Sequence, residues 1–450
     1  MNNKKLAYLG IAFLILLIFY LIPTPPELGY QGKMMLGVLV FGAILFVTEA
    51  VPLGMAGLAV MIAPILFNVS TPQEVFALFG NSAVFFLIGA FMIAAGFQKS
   101  GLHKRISVKI LKKLGASPKK FILAVMLIAA SLSLIMSEHG VAALLLPIVA
   151  YSLMSTPKNS NMRKGGMLAL AYGCSIGSIG TLLGCGRNPY TVMYLQQTAG
   201  IYVSFTQWMA LAMPVVLIML PIGWLWLTKL YPPERNIQVS ILDEGKTPLS
   251  NNEKKVAGIL IFTVVALIFV REWGVAVIVL IGALAMFVSG VVEWKDVERT
   301  LPWGIILLYG GAITLGAGLY QTGASQWLAS KIISVTGTNP YLLLFLLIAI
   351  TIIITEFMSN TAAVALMLPI GAGFANVVPG LNILVTSVAI ALAGGFAFMF
   401  VIGTPGNLIT YSTGFYSTKD ILKAGVVLNI VGMIVIFTVA TTLWHLMGVW

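Results

Sequence analysis

Three ionisable side chains interrupt long apolar stretches of this sequence: Glu138, His139 and Arg187. An ionisable group costs on the order of 3 kcal/mol or more inside a membrane-spanning segment, so such a group usually serves function. Glu138 can pair with Arg187 or carry a proton, and His139 can contact an anion or titrate near neutral pH. Arg187 can supply a fixed positive charge. The alternative is a Glu138–Arg187 ion pair that is only structural, and the sequence leaves these pairings open.

A second group of polar residues, Ser359, Asn360 and Thr361, lies between two apolar runs. A turn at this point exposes backbone N–H groups and the ends of helix dipoles, which attract a carboxylate without a lysine. The hydroxyl and amide side chains add hydrogen-bond donors, and unwound backbone offers carbonyl oxygens to a cation. The alternative is that these residues only link helices to one another.

The elements that must position these residues follow from composition. The chain has 450 residues, of which 59% are hydrophobic and only 9% are charged, and its mean hydropathy is +1.00. A soluble domain carries roughly 25% charged residues, so a soluble enzyme, a disordered chain and a nucleic-acid-binding protein are all excluded. The net charge of +12 then indicates basic cytoplasmic loops of a membrane protein.

The apolar runs predict an all-α polytopic membrane protein with about eleven transmembrane helices and two re-entrant hairpins. A spanning helix needs about 20 apolar residues. The runs 121–154 and 340–377 are too long for one span and have polar centres, so each is either a re-entrant hairpin or a pair of spans. The eleven single spans cover 6–22, 34–51, 52–68, 81–98, 166–196, 205–230, 255–270, 273–290, 302–320, 381–412 and 422–446.

Charge predicts the orientation of these segments. Both flanks of the hairpin 121–154, at 99–120 and 156–165, are basic and should be cytoplasmic. The N-terminus is then cytoplasmic and the C-terminus extracytoplasmic, and 22 of the 26 Lys and Arg residues fall inside. Lys33, Arg271 and Lys331 fall outside, and Arg187 lies within the membrane. The basic segment 103–115 is predicted to be an amphipathic helix that anionic lipid holds at the cytoplasmic surface.

An internal repeat organises the chain. Residues 136–148 align with 358–370 at a spacing of 222, and 183–188 align with 402–407 at a spacing of 219. An odd number of spans separates the copies, so the two repeats should be inverted, which is typical of transporters. The predicted divisions are an N-terminal helix at 1–33, a first repeat at 34–230, a cytoplasmic loop at 231–254 and a second repeat at 255–450.

Three motifs resemble those of the divalent anion/sodium symporter family. They are Ser-Asn-Thr at 359–361, Gly-Thr-Pro-Gly-Asn at 403–407 and Thr-Glu-Ala-Val-Pro at 48–52. The resemblance implies a homodimeric elevator transporter in the cell membrane, with a small anionic substrate and sodium as the coupling ion. The anions of this family are C4 dicarboxylates, tricarboxylates or sulfate. No other cofactor and no nucleic acid is expected.

Together with the repeat, the resemblance implies the site residues. One sodium ion is expected at Thr355, Asn360 and the carbonyl of Gly403 or a neighbour. The first sodium site, at Ser133, Ser137 and Gly184, is degenerate, since Glu138-His139 and Cys185-Gly186-Arg187 replace the family's Asn-Thr and Thr-Pro-Pro. The expected substrate contacts are Ser137, Glu138, His139, Cys185, Arg187, Asn188, Ser359, Asn360, Thr361, Thr404, Pro405 and Asn407.

The sequence therefore predicts a secondary transporter of small di- or tricarboxylates, most of all C4 dicarboxylates. Sodium-coupled symport and anion exchange both remain open, and the altered first repeat favours exchange or reduced sodium dependence. A symporter of sulfate or another inorganic anion is the alternative. An anion channel is a more distant one, because the polar residues are concentrated at four breaks. The sequence offers no convergent acid, base or metal set for an enzyme.

Overall fold

A computed structural model describes residues 3–115, 117–234, 248–270 and 272–450, and their regular structure is entirely helical. The all-α prediction is therefore confirmed. Most of the predicted cytoplasmic loop, at 235–247, and the predicted outside residue Arg271 lie outside the described residues. The helices are α1 (Asn3–Leu21), α2 (Tyr30–Thr48), α3 (Leu53–Leu66), α4 (Pro72–Phe79), α5 (Ser82–Ser100), α6 (Leu102–Leu114), α7 (Pro118–Ser133), α8 (Glu138–Met154), α9 (Asn161–Ser178), α10 (Arg187–Ala199), α11 (Phe205–Leu230), α12 (Asn251–Phe269), α13 (Gly274–Val288), α14 (Trp294–Thr300), α15 (Trp303–Gln321), α16 (Ala324–Thr336), α17 (Pro340–Thr355), α18 (Asn360–Val377), α19 (Ile383–Ala393), α20 (Pro405–Tyr411), α21 (Thr418–Thr441) and α22 (Leu443–Leu446).

Seven helical segments among the described residues are long and apolar enough to cross a membrane. An eighth is added if α16 and α17, which meet at 112°, are counted as one bent span. Four shorter helices, α3, α8, α13 and α19, are equally apolar in character. The chain is thus a multi-pass membrane protein, and the orientation of its termini stays a prediction.

Both predicted hairpins are pairs of helices joined by short turns. The run 121–154 forms α7 and α8 with a turn at 134–137, and the run 340–377 forms α17 and α18 with a turn at 356–359. Ser137 and Ser359 precede the second helix of each pair with extended backbones, at ψ 141° and 131°. The polar tips therefore stand at the start of α8 and α18.

The two predicted breaks are also present. The run 166–196 is divided into α9 and α10 by an unwound segment at 179–186, and the run 381–412 into α19 and α20 by one at 394–404. Unwound backbone at membrane depth is tolerated where protein covers it or where it lines a cavity. These two segments are therefore natural places for a binding site.

The helices themselves repeat at the spacing found in the sequence. α7 and α17 begin and end 222 residues apart, and so do α6 and α16. A glycine in the left-handed conformation precedes each of the latter two, at Gly101 (φ 75°) and Gly323 (φ 71°). The correspondence extends through α2–α11 and α12–α21, and only α1 and α22 lie outside it.

Packing between the repeats determines where the tips and breaks lie. α3 packs along α15 and α13 along α5, so each of these contacts joins one repeat to the other. In the same way α10 packs against α18, and α20 packs against α8. The break of one repeat consequently lies against the hairpin of the other, which brings all four interruptions together.

The α3–α15 contact leads to a first prediction, on stability. A Cβ atom at Gly311 would overlap the backbone of Gly57, whereas one at Gly304, in the same helix, would meet only a backbone nitrogen at 3.9 Å. We expect Gly311→Ala to force the two helices apart and lower the melting temperature of the purified protein. Gly304→Ala is the matched control and should be neutral or stabilising, because alanine is the better helix former by up to about 1 kcal/mol. Equal melting temperatures for both variants would contradict the close approach.

Candidate functional site

A cavity of about 440 Å³ lies where the two hairpin tips and the two breaks meet the α2–α3 junction. It brings together residues more than 200 positions apart in the chain. Of the predicted substrate contacts and ion ligands, those that line it are Ser137, Glu138, His139, Cys185, Arg187, Ser359, Asn360, Thr361, Gly403, Thr404 and Pro405. The remaining predicted residues, Ser133, Gly184, Asn188, Thr355 and Asn407, lie behind its wall.

Helix starts face this cavity. α8, α10 and α18 begin with Glu138, Arg187 and Asn360, and all three residues line it. The first N–H groups of a helix have no partner within the helix, and the dipole there favours negative charge. The side chains of Ser137 and Ser359 do not cap their helices. Their hydroxyl groups therefore remain available to an anion at the tips.

Glu138 and Arg187 form a buried network, each with no more than 2% of its side chain exposed. Arg187 Nη1 lies 3.8 Å from Glu138 Oε1. Ser178 connects the same two residues, since its hydroxyl accepts a hydrogen bond from Arg187 Nη2 (2.8 Å) and donates one to Glu138 Oε2 (3.0 Å). Removing one member of a buried pair typically costs about 3–5 kcal/mol. Of the pairings that the sequence left open, the structure contains that of Glu138 with Arg187, at the wall of the cavity.

The same carboxylate reaches into the second repeat. Asn360 Nδ2 donates a hydrogen bond of 3.3 Å to Glu138 Oε1. Asn360 and Glu138 occupy equivalent positions in the two repeats, 222 residues apart, so the two hairpins touch through the residues at their tips. Asn360, Glu138 and Arg187 therefore form one chain of contacts across the two repeats.

Oxygen atoms suited to a sodium ion converge behind the second tip. Thr355 Oγ1 lies 2.8 Å from Asn360 Oδ1 and 3.1 Å from the carbonyl oxygen of Gly394. Side-chain oxygens and the carbonyls of unwound helices are the usual sodium ligands of transporters. The predicted Thr355 and Asn360 are thus adjacent. The carbonyl that contacts them belongs to Gly394, whereas the predicted Gly403 lies further along the same break and lines the cavity.

The equivalent position in the first repeat has a different arrangement. Ser133 corresponds to Thr355, and its buried hydroxyl has no hydrogen-bond partner among the described residues. Gly184 approaches it so closely that a Cβ there would lie 2.5 Å from the Ser133 carbonyl oxygen. Glu138 takes the place of Asn360, and its carboxylate is held by Ser178 and Arg187. A positively charged side chain thus lies beside the predicted degenerate sodium site.

His139 and Cys185 face the cavity without strong partners. The Nδ1 atom of His139 is buried and has no hydrogen-bond partner among the described residues. His139 stands where Thr361 stands in the second repeat, and both residues line the cavity. Cys185 is a free, buried thiol in the position of Thr404, consistent with a small packing residue.

Asn188 and Asn407, two of the predicted substrate contacts, donate hydrogen bonds to backbone carbonyls of the two breaks. Asn188 Nδ2 donates to the carbonyl oxygens of Ser178 (3.0 Å) and Thr181 (2.6 Å). Asn407 Nδ2 does the same, 219 residues later, to those of Ala397 and Phe400 (both 2.9 Å). Unwound backbone inside a membrane must find donors for its free carbonyls. These two asparagines therefore hold the breaks in shape and lie outside the cavity lining.

Two residues that help to hold the site together belong to none of the sequence motifs. Ser178 joins Arg187 to Glu138, although no motif includes it. Glu356 accepts hydrogen bonds from the backbone N–H groups of Met399 (2.8 Å) and Phe400 (3.0 Å), and from Asn429 Nδ2 (2.6 Å). It therefore ties the second hairpin to the second break.

Comparisons with known proteins agree with this architecture. A family model described as the sodium:sulfate symporter transmembrane region matches residues 3–450. The chain is 29% identical over 469 aligned residues to the sodium-dependent dicarboxylate transporter SdcS of Staphylococcus aureus strain USA300, covering 95% of this chain and 88% of that protein. SdcS of strain bovine RF122 / ET3-1 gives the same values.

Two solved structures share the fold at low sequence identity. MtrF of Neisseria gonorrhoeae, described among antimetabolite efflux pumps, superimposes with a TM-score of 0.59 at 14% identity, over 98% of this chain and 94% of that one. The Alcanivorax borkumensis YdaH transporter superimposes with a TM-score of 0.57 at 12% identity, over 84% and 88% of the two chains. These likenesses concern the fold alone.

Proposed function

Because this chain belongs to the sodium:sulfate symporter family, we propose that it is a secondary active transporter of small dicarboxylate anions, C4 dicarboxylates above all. The observation that carries the proposal is that one cavity is lined by both hairpin tips. Each tip offers a helix start that favours a carboxylate, so two tips suit the two ends of a diacid. The name of SdcS, a sodium-dependent dicarboxylate transporter, supports the same substrate class.

The coupling ion follows from the difference between the repeats. We propose one sodium ion at Thr355, Asn360 and the Gly394 carbonyl, where neutral oxygens lie within 3.1 Å of Thr355 Oγ1. In the first repeat, the guanidinium of Arg187 takes the place of the missing ion, and the Glu138 carboxylate beside it balances its charge. The guanidinium is part of the protein and cannot be exchanged with the solution as an ion can. The transporter therefore depends on one sodium ion or, in the limiting case of no sodium coupling, works as an exchanger.

Movement and orientation belong to the same proposal. The hairpins and breaks (α7–α10 and α17–α20) pack on one another and would travel as one body in an elevator movement within a homodimer, as the family resemblance implies.

The orientation follows from the helices that precede the two hairpins, α6 and α16, which we call the arm helices. They are equivalent in the two repeats, yet α6 carries five Lys and Arg residues and α16 only Lys331. The positive-inside rule then favours a cytoplasmic α6 and an extracytoplasmic α16.

The test is uptake of labelled succinate into proteoliposomes, with and without a sodium gradient and with and without internal dicarboxylate. We expect saturable uptake that sodium stimulates with a Hill coefficient of about 1, since this coefficient does not exceed the number of coupled sites. Potassium or choline in place of sodium is the control. Uptake that requires internal dicarboxylate and ignores sodium would show exchange instead.

The alternatives predict different results in the same vesicles. A sulfate symporter would take up labelled sulfate without competition from succinate. An anion channel would give a flux that does not saturate and follows the membrane potential. Either result would overturn the proposed function.

A further inference from the structure

The two arm helices pack differently against their hairpins. In the second repeat, α16 lies directly on α18, and a Cβ atom at Gly373 would overlap the carbonyl oxygen of Ser325. Ala365 and Pro369 of α18 are buried as a result. Glycine at position 373 permits this contact because it has no side chain.

The first repeat has bulkier residues at the equivalent positions. Tyr151 stands where α18 has Gly373, and His103 stands where α16 has Ser325, each at the spacing of 222. A tyrosine side chain does not fit so close an approach, and α6 stands away from α8. Ala143 and Pro147, the counterparts of the buried Ala365 and Pro369, are exposed.

The separation leaves a groove of about 440 Å³ between α6 and α8. Its wall on α8 is apolar, and its mouth on α6 is basic. Pro147 has no N–H group, so the Ala143 carbonyl also lacks its usual helical donor at the groove. The lining residues are His103, Lys104, Ala143, Leu144, Pro147, Ile148 and Tyr151.

The charges on α6 beside the mouth are all positive, and Arg105 among them pairs with Glu253 of α12 (Nε–Oε1 2.7 Å). Within α6 the charged residues are Lys104, Arg105, Lys109, Lys112 and Lys113, with no acidic residue in the helix. Anionic lipids in the cytoplasmic leaflet attract such segments. A ligand that suits a basic mouth and an apolar wall has an anionic head and a hydrocarbon chain.

We propose that this groove binds an acidic phospholipid, with its headgroup at Lys104 and an acyl chain along Ala143–Ile148 of α8. The lipid fills the space that direct helix contact fills in the second repeat. It therefore joins the arm helix α6 to α8, the hairpin helix that begins with Glu138. The proposal does not depend on which anion the protein transports, and its test needs no transport assay.

The test is native mass spectrometry of the full-length protein, stripped of lipid and then exposed to phosphatidylglycerol or to phosphatidylcholine with the same acyl chains. We expect preferential retention of phosphatidylglycerol. Lys104→Gln introduces the residue type of Gln326, the equivalent position in the second repeat. It should weaken the binding of phosphatidylglycerol about five-fold, since one lysine near an anionic lipid contributes about 1 kcal/mol. Lys113→Gln removes the same charge from the same helix outside the groove, and is the matched control.

A second variant probes the apolar wall without changing charge. Ala143→Phe places a ring in the groove and should abolish retention of phosphatidylglycerol in protein that stays monodisperse, with a melting temperature that the lipid no longer raises. Equal weakening by Lys104→Gln and Lys113→Gln would indicate general surface attraction and overturn the site. Equal retention of phosphatidylcholine, or equal stabilisation by inorganic phosphate, would overturn the assignment to an acidic phospholipid.

Discussion

Asn360→Ala is expected to reduce succinate uptake by more than about tenfold in protein that expresses and folds normally. Asn360 Oδ1 belongs to the oxygen cluster with Thr355 (2.8 Å), and Asn360 Nδ2 donates to the Glu138 carboxylate (3.3 Å). A hydrogen bond to a charged group contributes about 1.5–3 kcal/mol, or roughly a factor of 10 to 150. The variant loses this bond together with one of the proposed sodium ligands. Initial uptake rates in proteoliposomes, across a range of sodium concentrations, measure the effect.

Asn382→Ala is the matched control for this variant. Asn382 caps the start of α19 through a hydrogen bond of 2.7 Å from Leu384 N–H, and it does not line the cavity. Loss of a helix cap costs about 1 kcal/mol of stability, so this control should lower the melting temperature while transport persists. If the Asn360→Ala protein showed native uptake and native sodium dependence, the second hairpin tip would not be part of the binding site.

Arg187→Pro is expected to be strongly destabilising by itself and much better tolerated together with Glu138→Asn and His139→Thr. The single variant leaves the Glu138 carboxylate buried without its cation, at a cost of about 3–5 kcal/mol. Arg187 is the first residue of α10, a position that proline favours. Gly186 before it has a helical backbone (φ −64°, ψ −40°), which a following proline disfavours, so part of the cost of the substitution is local. The triple variant removes the carboxylate as well and gives the first repeat the residue types of the second-repeat tip.

Melting temperature and sodium titration separate the possible roles of this network. We expect the triple variant to recover stability and to raise the Hill coefficient for sodium from about 1 toward 2, because a second site is restored. Lys99→Gln breaks an exposed ion pair with Asp296 (2.6 Å) and should change little, since exposed pairs contribute little. If single and triple variants matched the native protein in stability and sodium dependence, Arg187 would be no substitute for an ion.

Much of the fold could be predicted from the sequence because its signals are local. The hairpins 121–154 and 340–377 were visible as apolar runs with polar centres, and each became two helices with a turn at those centres. The basic segment 103–115 predicted an amphipathic helix and corresponds to α6. Length, hydropathy and charge act on neighbouring residues along the chain, so a reader of the sequence can recognise them without knowing the packing.

The repeat extended this prediction to the site. The matched motifs identified both tips and both breaks, and eleven of the predicted residues line one cavity. Polar residues within an apolar membrane segment cost free energy and are usually kept for function. Their positions therefore indicate where a binding site lies. Residue type and spacing located the interruptions, and the family resemblance implied the individual site residues.

Only the tertiary structure decided which of these residues meet. The break of each repeat lies against the hairpin of the other, and this exchange brings Glu138 to Asn360 and places Ser178 between Glu138 and Arg187. It also turned Asn188 and Asn407 toward backbone carbonyls and put Gly394 beside Thr355. Such contacts depend on how helices far apart in the chain approach one another and where unwound carbonyls point. Periodicity and composition encode burial and membrane depth, and they contain no information on these directions.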